Sequence, residues 1–144
     1  MQRVYGLDRY LEAQAGIYPQ VLDELRAGRK RSHWMWFVFP QCDGLGVSAT
    51  SRFYAIKSLA EARAYLRHPV LGARLIECTR IVNAVQDRSV HEIFGSPDDL
   101  KFRSSMTLFE LVAGPDSEFA AALDKYFAGE RDDRTLALVD PDKT

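Results

Sequence analysis

The chain has little cysteine, no long apolar run and no surplus of charge of either sign, and each shortage removes a class of protein. Only Cys42 and Cys78 occur in 144 residues, with no CxxC spacing and no histidine pair beside them. That argues against a disulfide-stapled scaffold or a zinc site, and two reduced thiols suit a cytoplasmic protein. Every apolar run falls far short of the ~20 residues that cross a bilayer. Residues Met1 to Asp8 hold no apolar h-region, so neither a membrane span nor a secretory signal is expected. Nineteen basic residues against twenty acidic ones leave a net charge of -1. Such a balance gives no general affinity for nucleic acid or for an anionic membrane. Direct nucleic-acid binding is therefore not expected beyond a local patch at Arg29 to Arg31. No repeat, low-complexity tract or linker divides the chain, and nothing in it specifies an oligomeric state.

What is present suffices for one ordinary core. Hydrophobic residues make up 47% and aromatic ones 11%, which separates the chain from disordered sequences. Asp8 is placed to cap a short helix carrying Leu7, Tyr10, Leu11 and Gln14, broken by Gly16. Tyr18-Pro19 opens a second, with Val21, Leu22 and Leu25 as its apolar stripe and Gly28 as its stop. Ser58-Leu59-Ala60-Glu61 has the capping-box order, and the helix it begins ends at His68-Pro69. From Pro69 onward Leu71, Leu75, Cys78, Val82 and Val85 recur at helical spacing, the cleanest amphipathic pattern in the protein. Within it Gly72 marks close approach by a neighbour or simple tolerance. Ser96-Pro97-Asp98-Asp99 starts another helix, buried through Phe102, Met106 and Phe109 and ended by Gly114-Pro115. Two more are expected over 117–127 and from Asp132 or Asp133 to Val139, with 140–144 a frayed tail. The expectation is a mainly α, single compact domain over 1–144, of about six to eight helices with little or no β structure.

The chain is organised around one stretch. Arg29-Lys30-Arg31 leads through Ser32-His33 into six consecutive apolar residues, Trp34 to Phe39, which hold both tryptophans. Pro40-Gln41 and Gly44-Leu45-Gly46-Val47-Ser48 close it. Periodicity does not classify an unbroken apolar run, so a short buried strand and an irregular core segment both fit. A loop over 41–50 and a short extended piece at Arg52 to Ile56 are expected after it.

Read as a site, Trp34 and Trp36 would stack a flat heterocycle. Arg29, Lys30, Ser32, Gln41 and the turn of Gly44, Gly46 and Ser48 would hold phosphate. A nucleotide-like small molecule is the partner such groups suit. Read as structure, the tryptophans fill the core and the basic residues face the negative end of the preceding helix dipole. His33 is either an acid/base group or phosphate donor, or a structural donor to a carbonyl. Glu61, Asp98 and Asp99 are the acids available to activate water, and each also fits as a first-turn helix acid. Lys101 and Ser104, one turn apart, would share a pocket with Asp98. Gly44-Leu45-Gly46 is neither a Walker A loop nor a dinucleotide fingerprint, and no metal-ligand constellation is present, so no cofactor or metal is expected.

The segment from Gly28 to Gly46 closely resembles the uncharacterised family called domain of unknown function 1810. So do Tyr54-Ala55-Ile56, His68-Pro69-Val70-Leu71-Gly72, Phe94-Gly95, Asp98 to Lys101 and Ser104 to Phe109. The resemblance covers nearly the whole chain. That family's fold in turn resembles the helical YbiA-like superfamily that includes the NADAR domains. This remoter resemblance implies a small N-glycosidase-like hydrolase of a nucleotide or ADP-ribose derivative. It makes Glu61 a catalytic acid, since Ser58-Leu59-Ala60-Glu61-Ala62 loosely echoes their Ser-x-Glu-His-Tyr stretch, one residue out of spacing. Their C-terminal glycine-rich, asparagine-containing motif has no counterpart here. The alternatives are a non-catalytic nucleotide- or anion-binding module using the same groups, and a protein-interaction domain that exposes the tryptophan run.

Overall fold

Serine and aspartate side chains set many of the helix starts. Ser48, Ser58, Ser89, Ser117 and Asp132 each accept a hydrogen bond from the backbone N–H three residues on, satisfying one of the donors a helix start leaves orphaned. The computed structural model describes residues 6–139, which form ten helices and no sheet. They are α1 (Asp8–Gln14), α2 (Tyr18–Arg26), α3 (Met35–Val38), α4 (Ala49–Tyr54) and α5 (Leu59–Arg67), followed by α6 (Leu71–Ala84), α7 (Val90–Phe94), α8 (Asp98–Ala113), α9 (Glu118–Phe127) and α10 (Asp133–Leu138). The expected 140–144 tail lies outside the described residues.

Helix α8 is the hub, packed by α5, α7, α9 and α10, while α6 joins α2, α5 and α9. Residues Ser104 to Phe109 are buried without interruption, as a helix enclosed on all sides requires. The apolar run from Trp34 is threaded against this hub. Phe39 meets Phe94 and Phe102 edge-on at 5.8 and 5.1 Å, and those two rings stack at 4.7 Å. Each such side chain contributes about 1.5–3 kcal/mol by burial alone. Gly72 is required by close approach: a Cβ there would lie 1.9 Å from the backbone oxygen of Leu66, so α5 and α6 meet backbone to backbone.

The mainly α class is as expected, and the departures are local. The run from Trp34 is neither strand nor irregular but the single turn α3, with Val38 N–H donating to Trp34 O at 3.2 Å and Phe39 N–H to Met35 O at 3.1 Å. A one-turn helix inside a core is apolar on every side, so it shows no period to read. Arg52 to Tyr54 are helical rather than extended, because Ser48 caps α4, and only Ile56 pairs, as an isolated bridge to Cys42. α7 was not expected at all, although Ser89 and Glu92 form a complete capping box. Leu7 and Pro97, not Asp8 and Ser96, occupy the N-cap positions of α1 and α8. His68 does mark a boundary, its Nδ1 accepting from the N–H groups of Val70 and Leu71.

Both cysteines are free and buried. Burial pushes the thiol of Cys42 up to about 11 and that of Cys78 up to about 12, so neither supplies a reactive thiolate near neutrality.

Candidate functional site

The middle of the stretch that dominates the sequence, from Lys30 to Trp34, is answered from within, while the Arg29 and Arg31 side chains are exposed. The carboxylate of Glu24, on α2, accepts from Arg31 N–H at 2.8 Å, Ser32 N–H at 3.0 Å and Trp34 Nε1 at 2.9 Å through one oxygen. Its other oxygen accepts from Ser32 Oγ at 2.7 Å and Gln20 Nε2 at 3.0 Å. Burial alone would raise this carboxyl, but the hydrogen bonds from Arg31, Gln20, Ser32 and Trp34 outweigh it and bring it down to about 2. Lys30 is only 7% exposed, donates to Ser32 O at 2.5 Å, pairs with Asp98 Oδ2 at 2.9 Å and lies 5.1 Å from the Trp34 ring centre. Lys30, Ser32, Trp34 and Asp98 are therefore structural partners of one another. Trp34 is fully buried and presents no face to a ligand or a protein partner. Arg29 and His33 are exposed and line neither of the cavities described below.

The acids nominated to activate water are each engaged by the protein itself. Glu61 is buried, accepting from Lys57 N–H at 2.6 Å and pairing with Arg9 at 3.0 Å; its reach to Lys57 rather than Ser58 leaves the capping box half made. Asp99 accepts from Leu100 N–H at 2.9 Å and faces His91 Nδ1 at 3.2 Å. Neither of them nor Asp98 lines a cavity with Trp36.

Two adjoining cavities instead use other residues. A narrow slot of about 10 Å³ is lined by Met35, Trp36, Phe39, Gln41, Ser51, Tyr54, Ala55 and Lys101. It has room for about one water molecule. Beyond Gln41 and Lys101, which it shares, opens a groove of about 380 Å³, walled by Leu45, Gly46, Pro97, Leu100, Arg103, Ser104, Asp132 and Arg134. The lining carries three cations, Lys101, Arg103 and Arg134, against one carboxylate. That carboxylate is committed: Asp132 Oδ2 accepts from Ser104 Oγ at 2.9 Å and from Thr135 Oγ1 at 2.5 Å while capping α10. Lys101 Nζ stands 5.3 Å from the Trp36 ring centre and 3.8 Å from Asp98. Arg134 donates to Gly44 O at 3.4 Å, tying α10 to the glycine turn.

The turn itself is built for packing. A Cβ on Gly46 would lie 2.4 Å from that of Ser51, and Ser48 is spent capping α4. Of the residues the sequence nominates, Gln41, Gly46, Lys101 and Ser104 line the groove and Trp36 the slot beside it. Arg103, Arg134, Leu100 and Tyr54 were not nominated. Arg103 and Leu100 flank Lys101 and Ser104 on α8, a helical-neighbour signal the sequence did offer. Nothing in the sequence ties Arg134 to them.

The fold and the site together define a mainly helical protein with a cationic groove beside an aromatic slot. The chain belongs to the family described as protein of unknown function (DUF1810), whose sequence model matches residues 4–139. It is similar to the conserved hypothetical protein Rv1873 from Mycobacterium tuberculosis, known from a crystal structure. The two are 57% identical over 94% of this chain and 96% of that one, with a TM-score of 0.92. No curated protein matches. These similarities lend no support to kinship with the NADAR domains or the YbiA-like superfamily. Among the described residues no helix is long and apolar enough to cross a membrane, and no cluster of histidine, cysteine and acidic residues suits a metal ion.

Proposed function

We propose that the groove is a binding site for a nucleotide-like small anion and that it performs no reaction of its own. The observation that carries this reading is the surplus of cation in the lining: Lys101, Arg103 and Arg134 surround a single carboxylate already bonded to Ser104 and Thr135. Gln41 supplies an amide, and Trp36 lines the adjoining slot under the Lys101 ammonium. Glycosidic cleavage asks for a free carboxylate at the sugar. The carboxylates on which the N-glycosidase reading depends, Glu61, Asp98 and Asp99, are engaged elsewhere. That weighs the alternatives toward binding without turnover.

The test is a thermal-shift and tryptophan-fluorescence titration with mononucleotides, NAD and ADP-ribose, each mixture assayed for product. Binding without product is expected, with stabilisation of about 2.7 kcal/mol at a hundredfold excess over Kd. Release of a free base would replace this reading with the hydrolase. Silence across the panel in both signals would remove the groove as a nucleotide site.

A further inference from the structure

Several arginines elsewhere among the described residues are matched by acceptors, and those without one, Arg26, Arg29, Arg31, Arg52, Arg63 and Arg67, are exposed to solvent. Arg131 forks onto both oxygens of Glu110, Arg88 donates to the carbonyls of Gly28 and Glu92, and Arg74 to Gln14. Arg103 differs. Its side chain is only 28% exposed and its Nε is buried without an acceptor. Among the described residues its guanidinium makes no hydrogen bond, and the nearest carboxylate oxygen, Asp132 Oδ1, stands off at 4.0 Å. The guanidinium carbon lies over the Phe127 ring, 5.8 Å from its centre, and neither Nη atom makes a hydrogen bond among these residues. Arg103 also lines both the groove and a second basin formed with Glu130, Arg131, Asp132, Asp133 and Arg134.

We infer that Arg103 is the residue that recognises the ligand, and that it grips a phosphate group through two parallel N–H donors. A planar fork with its donors free matches two oxygens of a tetrahedral phosphate. Lys101 and Arg134 line the same groove and add two more positive charges, so a dianionic phosphate monoester gains more there than a monocarboxylate does. Asp132 meets the fork only through Oδ1, at 4.0 Å and beyond hydrogen-bond reach, while its Oδ2 is held by Ser104 and Thr135. The ligand class is then a phosphorylated small molecule, with Arg103 as the phosphate-specific contact. This rests on the groove being a binding site at all.

The experiment is isothermal titration of the full chain with inorganic phosphate, AMP and adenosine, repeated on Arg103→Lys and Arg103→Met with thermal melts of each variant. AMP is expected to bind roughly tenfold or more tightly than adenosine. Arg103→Lys is expected to lose roughly tenfold or more for AMP despite keeping the charge, because an ammonium does not reproduce the fork. Competition between inorganic phosphate and AMP places the phosphate at Arg103; AMP binding that ignores phosphate contradicts the assignment. Arg103→Lys binding AMP as the parent does overturns the inference and leaves the groove reading standing, whereas equal binding of AMP and uncharged adenosine overturns both. No response to phosphate or AMP overturns the inference, and silence extending to the whole nucleotide panel removes the groove reading as well. The Arg103→Met melt, expected at or above that of the parent, separates lost binding from lost fold.

Discussion

Two lysine–tryptophan pairs lie side by side in this protein: Lys30 at 5.1 Å from Trp34 and Lys101 at 5.3 Å from Trp36. Asp98 touches both, at 2.9 Å from Lys30 and 3.8 Å from Lys101. In the first pair the cation is buried, its carboxylate partner is close, and the indole N–H is taken by Glu24. In the second the cation lines an open groove and its partner is distant. The same chemical pair is thus a piece of core in one place and an open recognition group in the other. What separates them is whether the chain has already supplied the anion. A basic and aromatic stretch in a sequence advertises affinity for negative charge without saying whose, and here Glu24 and Asp98 answer for the stretch that looked most promising.

The largest effect should come from the tryptophans. Trp34→Ala removes a fully buried ring and one of the five hydrogen bonds that Glu24 accepts, so a loss of about 3–5 kcal/mol is expected in urea denaturation. Trp36→Ala, at a half-buried position, should cost about 1 kcal/mol and act on ligand binding instead. Equal losses at the two positions would break the contrast. Glu24→Gln comes next. It removes the charge from a buried group that accepts five hydrogen bonds, at a cost of about 3 kcal/mol. The same residue gives a pH signature. Its folded carboxyl sits at about 2 against an ordinary 4.5, so its contribution is whole above pH 4.5 and is lost as pH falls toward 2. That is about 3 kcal/mol across the window, and it should be missing from the acid-unfolding curve of Glu24→Gln.

The all-helical fold was legible because its main signals are local: Ser58, Ser117 and Asp132 announce helix starts, and Leu71, Leu75, Cys78 and Val82 keep a helical period. α3 was not legible, because burial on all sides erases the period from Trp34 to Phe39. The candidate site was legible in part: Trp36 in the aromatic run, Lys101 and Ser104 on one face of α8, and Gln41 and Gly46 in the loop before α4. Glu24 is the instructive omission. Its role depends on α2 returning its side chain to Arg31, Ser32 and Trp34 across a glycine stop, a tertiary fact with no spacing rule of its own. Arg134 likewise reaches the groove only because Asp132 and Arg131 pin the last helix to Ser104, Thr107 and Glu110.

The lysines give the finest test, since their substitutions change one charge each beside similar rings. Lys30→Met leaves Asp98 short of its near partner in a mostly buried setting, for which about 2 kcal/mol of destabilisation is expected. Lys101→Met breaks only a 3.8 Å contact at the groove wall, and its melt should stay within about 0.5 kcal/mol of the parent. Its consequence should appear in binding: weaker affinity for AMP at low ionic strength, with the gap to the parent narrowing as salt screens the lost charge. Titrations of Lys101→Met at two salt concentrations measure that narrowing directly. A Lys101→Met protein that binds AMP as the parent does at low salt would mean that the second pair, like the first, faces inward, and the difference between the two pairs would collapse.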